Sequence, residues 1–137
     1  GYAIGHPDLI AAFHKVRNHF GMNRAAQAGA LAALGDQSYL AQVVEQIAQA
    51  RDRIEQIARD NGLKPLPSAT NFVTIDCGRD GTFAKAVLDG LVARGIFARM
   101  PFVAPQNRCI RISCGTPDML DAVAAALPGA LADAEKS

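Results

Sequence analysis

The stretch NRCIRISCGTP, residues 107–117, restricts the fold more than any other. Strand side chains alternate between faces, so Ile110, Ile112 and Cys114 share one side and Cys109, Arg111 and Ser113 the other. The alternation runs straight into Thr116-Pro117-Asp118. That order predicts a strand followed at once by a helix, with Thr116 as its cap, Pro117 in its first turn and Asp118 facing the dipole. Arg111, fixed in mid-strand beside a small core, is then either a surface residue or a clamp for an anion.

The rest of the chain supplies helices to cover such a strand. HPDLIAAFHKVRN (6–18) reads as a helix with Pro7 at its first position, and Leu9, Ile10, Phe13 and Val16 or Arg17 fall at helical spacing. NHFGMNR (18–24) is a loop with turn chemistry, and AAQAGALAALGD (25–36) is an Ala-rich helix that Gly35 is placed to terminate. Asp36 is positioned to cap a long helix reaching Asn61-Gly62. Its apolar stripe is Leu40, Val43, Val44, Ile47, Ile54, Ile57 and Ala58.

Beyond it, strands are expected at NFVTIDC (71–77) and IFARM (96–100), around an amphipathic helix over 82–95. A last helix is expected over 117–131, ended or kinked by Pro128, with ADAEKS frayed after it. GYAIG (1–5) reads as the end of a strand with nothing local to pair with. Strands and helices do not alternate strictly. The expected class is therefore α/β of the α+β kind: a small mixed sheet of about three strands backed by helices.

Composition narrows the function classes. A formal charge of +1 without a basic stripe argues against a dedicated nucleic-acid binder, and no apolar run approaches a membrane span. Cys77, Cys109 and Cys114 include no CxxC pair and read as reduced, buried thiols of a cytoplasmic protein rather than a metal site. Gly-rich phosphate-binding motifs are absent.

GYAIGHPDLIAAFHKVRN, the Ala-rich and long helices, SATNFVTID, GIFARMP and CIRISCGTPD occur in an order that resembles fold-type I pyridoxal-phosphate-dependent aminotransferases, closest to the histidinol-phosphate aminotransferase group. The resemblance covers residues 1 to about 130 and corresponds to the C-terminal part of such an enzyme. It implies that residues 1–36 end the large cofactor-binding domain and its interdomain helices, GYAIG being a strand severed from that domain, and that 37–137 form the small domain.

It further implies that the Schiff-base lysine, in a segment S-K-x-x-G-L-x-G-x-R, belongs before Gly1. Lys15, Lys64, Lys85 and Lys136 do not stand in that setting, so the resemblance assigns no catalytic or cofactor-binding residue to this chain. What it assigns here is substrate binding. Arg111, in the R-I-S-x-G segment, would hold the substrate's anionic end, Arg99 would assist, and Asn71 would lie near the pocket. The implied parent is a cytoplasmic homodimer that moves an amino group between an amino acid or amino-phosphate and a 2-oxo acid. A phospho-amino-acid decarboxylase of the same fold and a non-catalytic ligand-binding domain are the alternatives.

Overall fold

A computed structural model describes residues 3–136. The chain divides into two compact units, Gly1–Ala41 and Gln42–Ser137.

The first unit holds α1 (Pro7–Val16) and α2 (Arg24–Gly35). His6 caps α1, its Nδ1 accepting from the Asp8 N–H, and Asn23 caps α2, its Oδ1 accepting from the Ala26 N–H at 2.7 Å. Neither helix has a buried residue. Gly35 is the last helical residue of α2 and not its stop. Asp36 is the C-cap, and its Oδ1 also accepts from the Tyr39 N–H at 3.0 Å, opening α3 (Gln37–Asp60). Of the strand expected at GYAIG, Gly1 and Tyr2 lie outside the described residues, and residues 3–5 form no strand.

In the second unit Ala50, Ile54, Ile57 and Ala58 of α3 are buried, while Val44, nearer its start, is exposed. The chain continues through β1 (Lys64–Pro65), β2 (Phe72–Asp76), α4 (Gly81–Ala93), β3 (Cys109–Ser113) and α5 (Pro117–Ala134). The three strands form one sheet in the order β1-β2-β3, and the α+β class expected from the sequence is present. Pairing is antiparallel throughout rather than mixed, with Thr74 opposite Arg111 and Phe72 opposite Ser113. Val73, Ile75, Cys77, Ile110 and Ile112 face the core with the buried residues of α3, α4 and α5. Phe72, Thr74, Asp76, Arg111 and Ser113 alternate onto the other face.

IFARM does not form one of the three strands; Lys64–Pro65, β1, does. Residues 96–100 contribute one isolated bridge, Arg99 to Arg111. Gly95, at φ +78°, has just closed α4 in a left-handed conformation, and Pro101 has no N–H to carry a ladder onward. Pro128 does not end α5, which runs on to Ala134, so ADAEKS starts inside the helix. Burial of Ala130 and Ala134 holds those turns in place, as do ion pairs from Arg94 to Asp133 at 2.6 Å and from Arg79 to Glu135 at 2.9 Å. Thr116 occupies the N-cap position without a side-chain hydrogen bond. No helix among the described residues is long and apolar enough to cross a membrane.

Candidate functional site: an arginine-lined cavity on the open face of the sheet

The site grows out of the β2–β3 register. The turn before β2 is tied down by its own hydroxyls: Ser68 Oγ and Thr70 Oγ1 both donate to the Phe72 carbonyl. Arg51 on α3 donates to the Thr70 carbonyl at 3.0 Å. This fixes where Phe72 and Thr74 emerge on the open face. On the far side of β3, Arg99 and Arg111 exchange both backbone bonds, Arg111 N–H to Arg99 O at 2.7 Å and Arg99 N–H to Arg111 O at 3.2 Å. A reciprocal pair of this kind sets two side chains directly opposite each other on one face. Both guanidinium groups therefore enter the same space.

That space is a cavity of about 300 Å³ lined by Phe72, Thr74, Arg99, Met100, Pro101 and Arg111. The Arg111 guanidinium lies over the Phe72 ring, 4.5 Å from its centroid, and Arg99 lies 5.7 Å from the Phe97 ring. Neither has a hydrogen-bonding or ionic partner for its guanidinium among the described residues. The other arginines of this unit differ. Arg53, Arg59, Arg79, Arg94 and Arg108 each meet a carboxylate, and Arg51 meets a carbonyl. Like charges opposed across strands repel, so the Arg99–Arg111 pair holds an unneutralised positive charge that an oxyanion would relieve.

Arg108 shows the contrast three residues away. Its Nε donates to Asp76 Oδ1 at 2.8 Å. Burial alone would raise the Asp76 pKa, but the Gly78 N–H, the Arg108 guanidinium and the Lys64 charge outweigh it and hold the carboxyl below its ordinary range. Cys77, Cys109 and Cys114 are free thiols, and burial pushes all three upward, Cys77 to about 11. No cluster of three or more metal-ligating side chains occurs among the described residues. A larger groove, about 640 Å³, runs between α3 and the start of α5 past Val43, Ile47, Ala50 and Met119. Its charged members, Arg53 and Asp121, are paired with each other at 3.2 Å, so it offers apolar surface rather than a charge in want of a partner.

The structure brings Arg111 and Arg99 together. Asn71 stands at the same end of β2, where its carbonyl accepts from the Cys114 N–H at 2.9 Å, but it does not line the cavity. Phe72, Thr74, Met100 and Pro101 were not singled out by the sequence. The available signal was the alternation of Phe72 and Thr74 with buried Val73 and Ile75.

The lining contains no lysine. Lys85 is paired with Asp89 at 2.6 Å on the exposed side of α4, Lys136 lies 3.7 Å from Asp133, and Lys64 is exposed on β1. The cavity lining, with Arg99 and Arg111, suits the anionic end of a small molecule and does not fit pyridoxal phosphate, which a lysine amine must hold.

The family model for aminotransferase class I and II matches residues 1–127. The chain belongs to that family. It is 38% identical over 131 residues to a histidinol-phosphate aminotransferase of Geobacter sulfurreducens, covering 93% of this chain and 36% of that protein. It is 36% identical over 135 residues to histidinol-phosphate aminotransferase 2 of Ralstonia nicotianae, covering 98% and 36%. The crystal structure of the histidinol-phosphate aminotransferase from Sinorhizobium meliloti in complex with pyridoxal-5'-phosphate superimposes with a TM-score of 0.89 at 55% identity, covering 92% of this chain and 35% of that one. The chain thus spans about a third of the length of the relatives it matches.

Proposed function

We propose that this chain is the C-terminal part of a pyridoxal-phosphate-dependent aminotransferase, in which Arg111 holds the anionic end of the substrate. Residues 1–36 close the large domain and connect it to the small domain, 37–137. The parent is a cytoplasmic homodimer that moves an amino group between an amino acid or amino-phosphate, histidinol-phosphate-like or aromatic, and a 2-oxo acid. In the parent, residues outside this chain would hold the cofactor, which would supply an electron sink for the transfer. This chain binds and orients the substrate, and without a lysine beside the cavity it does not transaminate alone.

One observation carries the reading: Arg99 and Arg111 share a cavity, are joined by a reciprocal backbone bridge, and lack any acidic partner among the described residues. A guanidinium presents a planar fork of donors that matches two oxygens of a carboxylate or phosphate. Arg111, in the sheet, fixes the position of the anion. Arg99, across the bridge, adds a second charge that favours a dianion such as a phosphate ester. Asn71, one residue before Phe72, is assigned to the rim of the site.

The test uses the full-length enzyme. Arg111→Ala lowers kcat/KM for an anionic amino donor roughly 10- to 100-fold, the range for losing a charge-assisted hydrogen-bonded contact. The cofactor's visible absorbance stays at wild-type occupancy. Equal loss of cofactor binding would refute the assignment of Arg111 to substrate. Release of carbon dioxide from the donor, with no amino acid formed from the 2-oxo acid, would replace transfer by decarboxylation.

A further inference from the structure

We propose that Phe72 is the positioning residue for Arg111: its ring fixes the guanidinium plane while leaving every N–H free for the ligand. The inference rests on the reading of Arg111 as the anion clamp and assigns a role to a residue that reading does not require.

Arginines in this unit are held by three kinds of neighbour, singly or, as for Arg79 with the Phe83 ring and Glu135, in combination. Arg108 is held by the carboxylate of Asp76 at 2.8 Å, which neutralises its charge. Arg51 is held by the Thr70 carbonyl at 3.0 Å, which occupies one of its donors. Arg111 is held by an aromatic face, 4.5 Å from the ring centroid. Only the third leaves both the charge and the in-plane donors available, because the ring's negative face attracts the cation perpendicular to its plane. A clamp that must discharge its ligand at each turnover needs that arrangement. A carboxylate in the same place would compete with the substrate.

The backbone that carries the ring is tied down on two sides. Phe72 stands opposite Ser113, one step along the same face from the Thr74–Arg111 pair, so it is the diagonal neighbour of Arg111. Its carbonyl is gripped by Ser68 and Thr70, and its ring is half-buried. Arg99 has no comparable support: its nearest ring is that of Phe97, 5.7 Å away and 78% exposed. Arg111 is therefore the pre-oriented half of the pair, and Phe72 acts on affinity for the anion rather than on turnover.

Inorganic phosphate, measured as a competitive inhibitor against the amino donor in the full-length holoenzyme, is the probe. Phe72→Leu raises the phosphate inhibition constant about 3- to 30-fold, the span of a partly desolvated cation–π contact. It leaves kcat at saturating donor within about twofold, since uniform binding acts on KM. Phe72→Tyr keeps a face of the same kind and restores inhibition to within about twofold of wild type. With Arg111→Lys in place, adding Phe72→Leu costs less than about twofold more, because the guanidinium it orients is gone. If Arg111→Lys alone leaves phosphate inhibition unchanged, the clamp reading falls and this proposal with it. If Arg111→Lys weakens inhibition but Phe72→Leu does not, only the role of Phe72 is overturned. Equal effects of the Leu and Tyr variants, or a full Phe72→Leu effect persisting without Arg111, would make Phe72 merely structural and overturn it too.

Discussion

Asp76 lies two rungs from Arg111 in the β2–β3 ladder, and its pairing with Arg108 shows what a carboxylate does to an arginine in this sheet. Asp76 accepts from the Gly78 N–H at 2.8 Å and from Arg108 at 2.8 Å, so it fastens the β2 exit to the entrance of β3. Replacing it with Asn removes the charge and keeps the shape, and it destabilises the protein by about 1–2 kcal/mol at pH 7, within the range for charged hydrogen bonds at a half-exposed site. The Asp76 pKa is lowered from its ordinary 3.8, so the pair's contribution is complete above that value. It is lost as pH falls through the lower folded-state pKa. Denaturant unfolding of both proteins at pH 7 and near pH 3 checks this. The stability gap narrows in acid, and a gap that widens would contradict the assignment. The face of Arg111 was legible in the sequence because period two needs no knowledge of a partner strand. Phe72 was not, because its place beside Arg111 depends on a register that is set only when β2 and β3 pair.

Between elements, α4 and α5 pack backbone against backbone at Gly90. A Cβ built on Gly90 would lie 3.0 Å from both the Cα and the Cβ of Ala130, and Ala130 is fully buried. The helices approach this closely only because Gly90 has no side chain. Gly90→Ala gains helix propensity but overpacks the contact, for a net loss of about 1–3 kcal/mol. Thermal unfolding reads it as a lower midpoint, and an unchanged or higher midpoint would mean that the helices move apart freely. The same contact explains why the end of α5 was misjudged from sequence. Pro128 removes one N–H from the ladder and breaks an isolated helix, yet Ala126, Leu127, Ala130 and Ala134 are buried around it and carry the helix past the break. Local rules located the other helix boundaries within a few residues because caps such as Asp36, whose Oδ1 accepts from the Tyr39 N–H at 3.0 Å, are local chemistry. IFARM failed for the opposite reason: its strand-like composition was real, but Gly95 and Pro101 left room for only one bridge.

At the scale of the whole molecule, the two units differ in what holds them. The second has a continuous core from Ile54 through Val73, Ile75 and Ile110 to Leu127. In the first, the helices read from the sequence exist, but Leu9, Phe13 and Val16 of the α1 stripe, and Leu31 and Leu34 of α2, are all more than half exposed. The helical period of that stripe was visible in the sequence, whereas what covers a stripe is a tertiary fact that the period does not contain. Isolated helices shorter than about 12–15 residues are marginal in water, and α1 and α2 have 10 and 12 residues with none buried. Their backbone hydrogen bonds therefore open without disturbing the core, at a free energy near the bottom of the range that native proteins span. Hydrogen exchange on the 137-residue chain, at a concentration where it is monodisperse, measures this directly. Amides across α1 and α2 exchange within about tenfold of the unstructured rate, while those of Val73, Ile75, Ile110 and Ile112 exchange only through global unfolding. Exchange in α1 and α2 as slow as in β2 and β3 would show that the first unit has a stabilising partner in the chain. In the full-length protein, slow exchange across the same helices would place that partner in the remainder of the polypeptide.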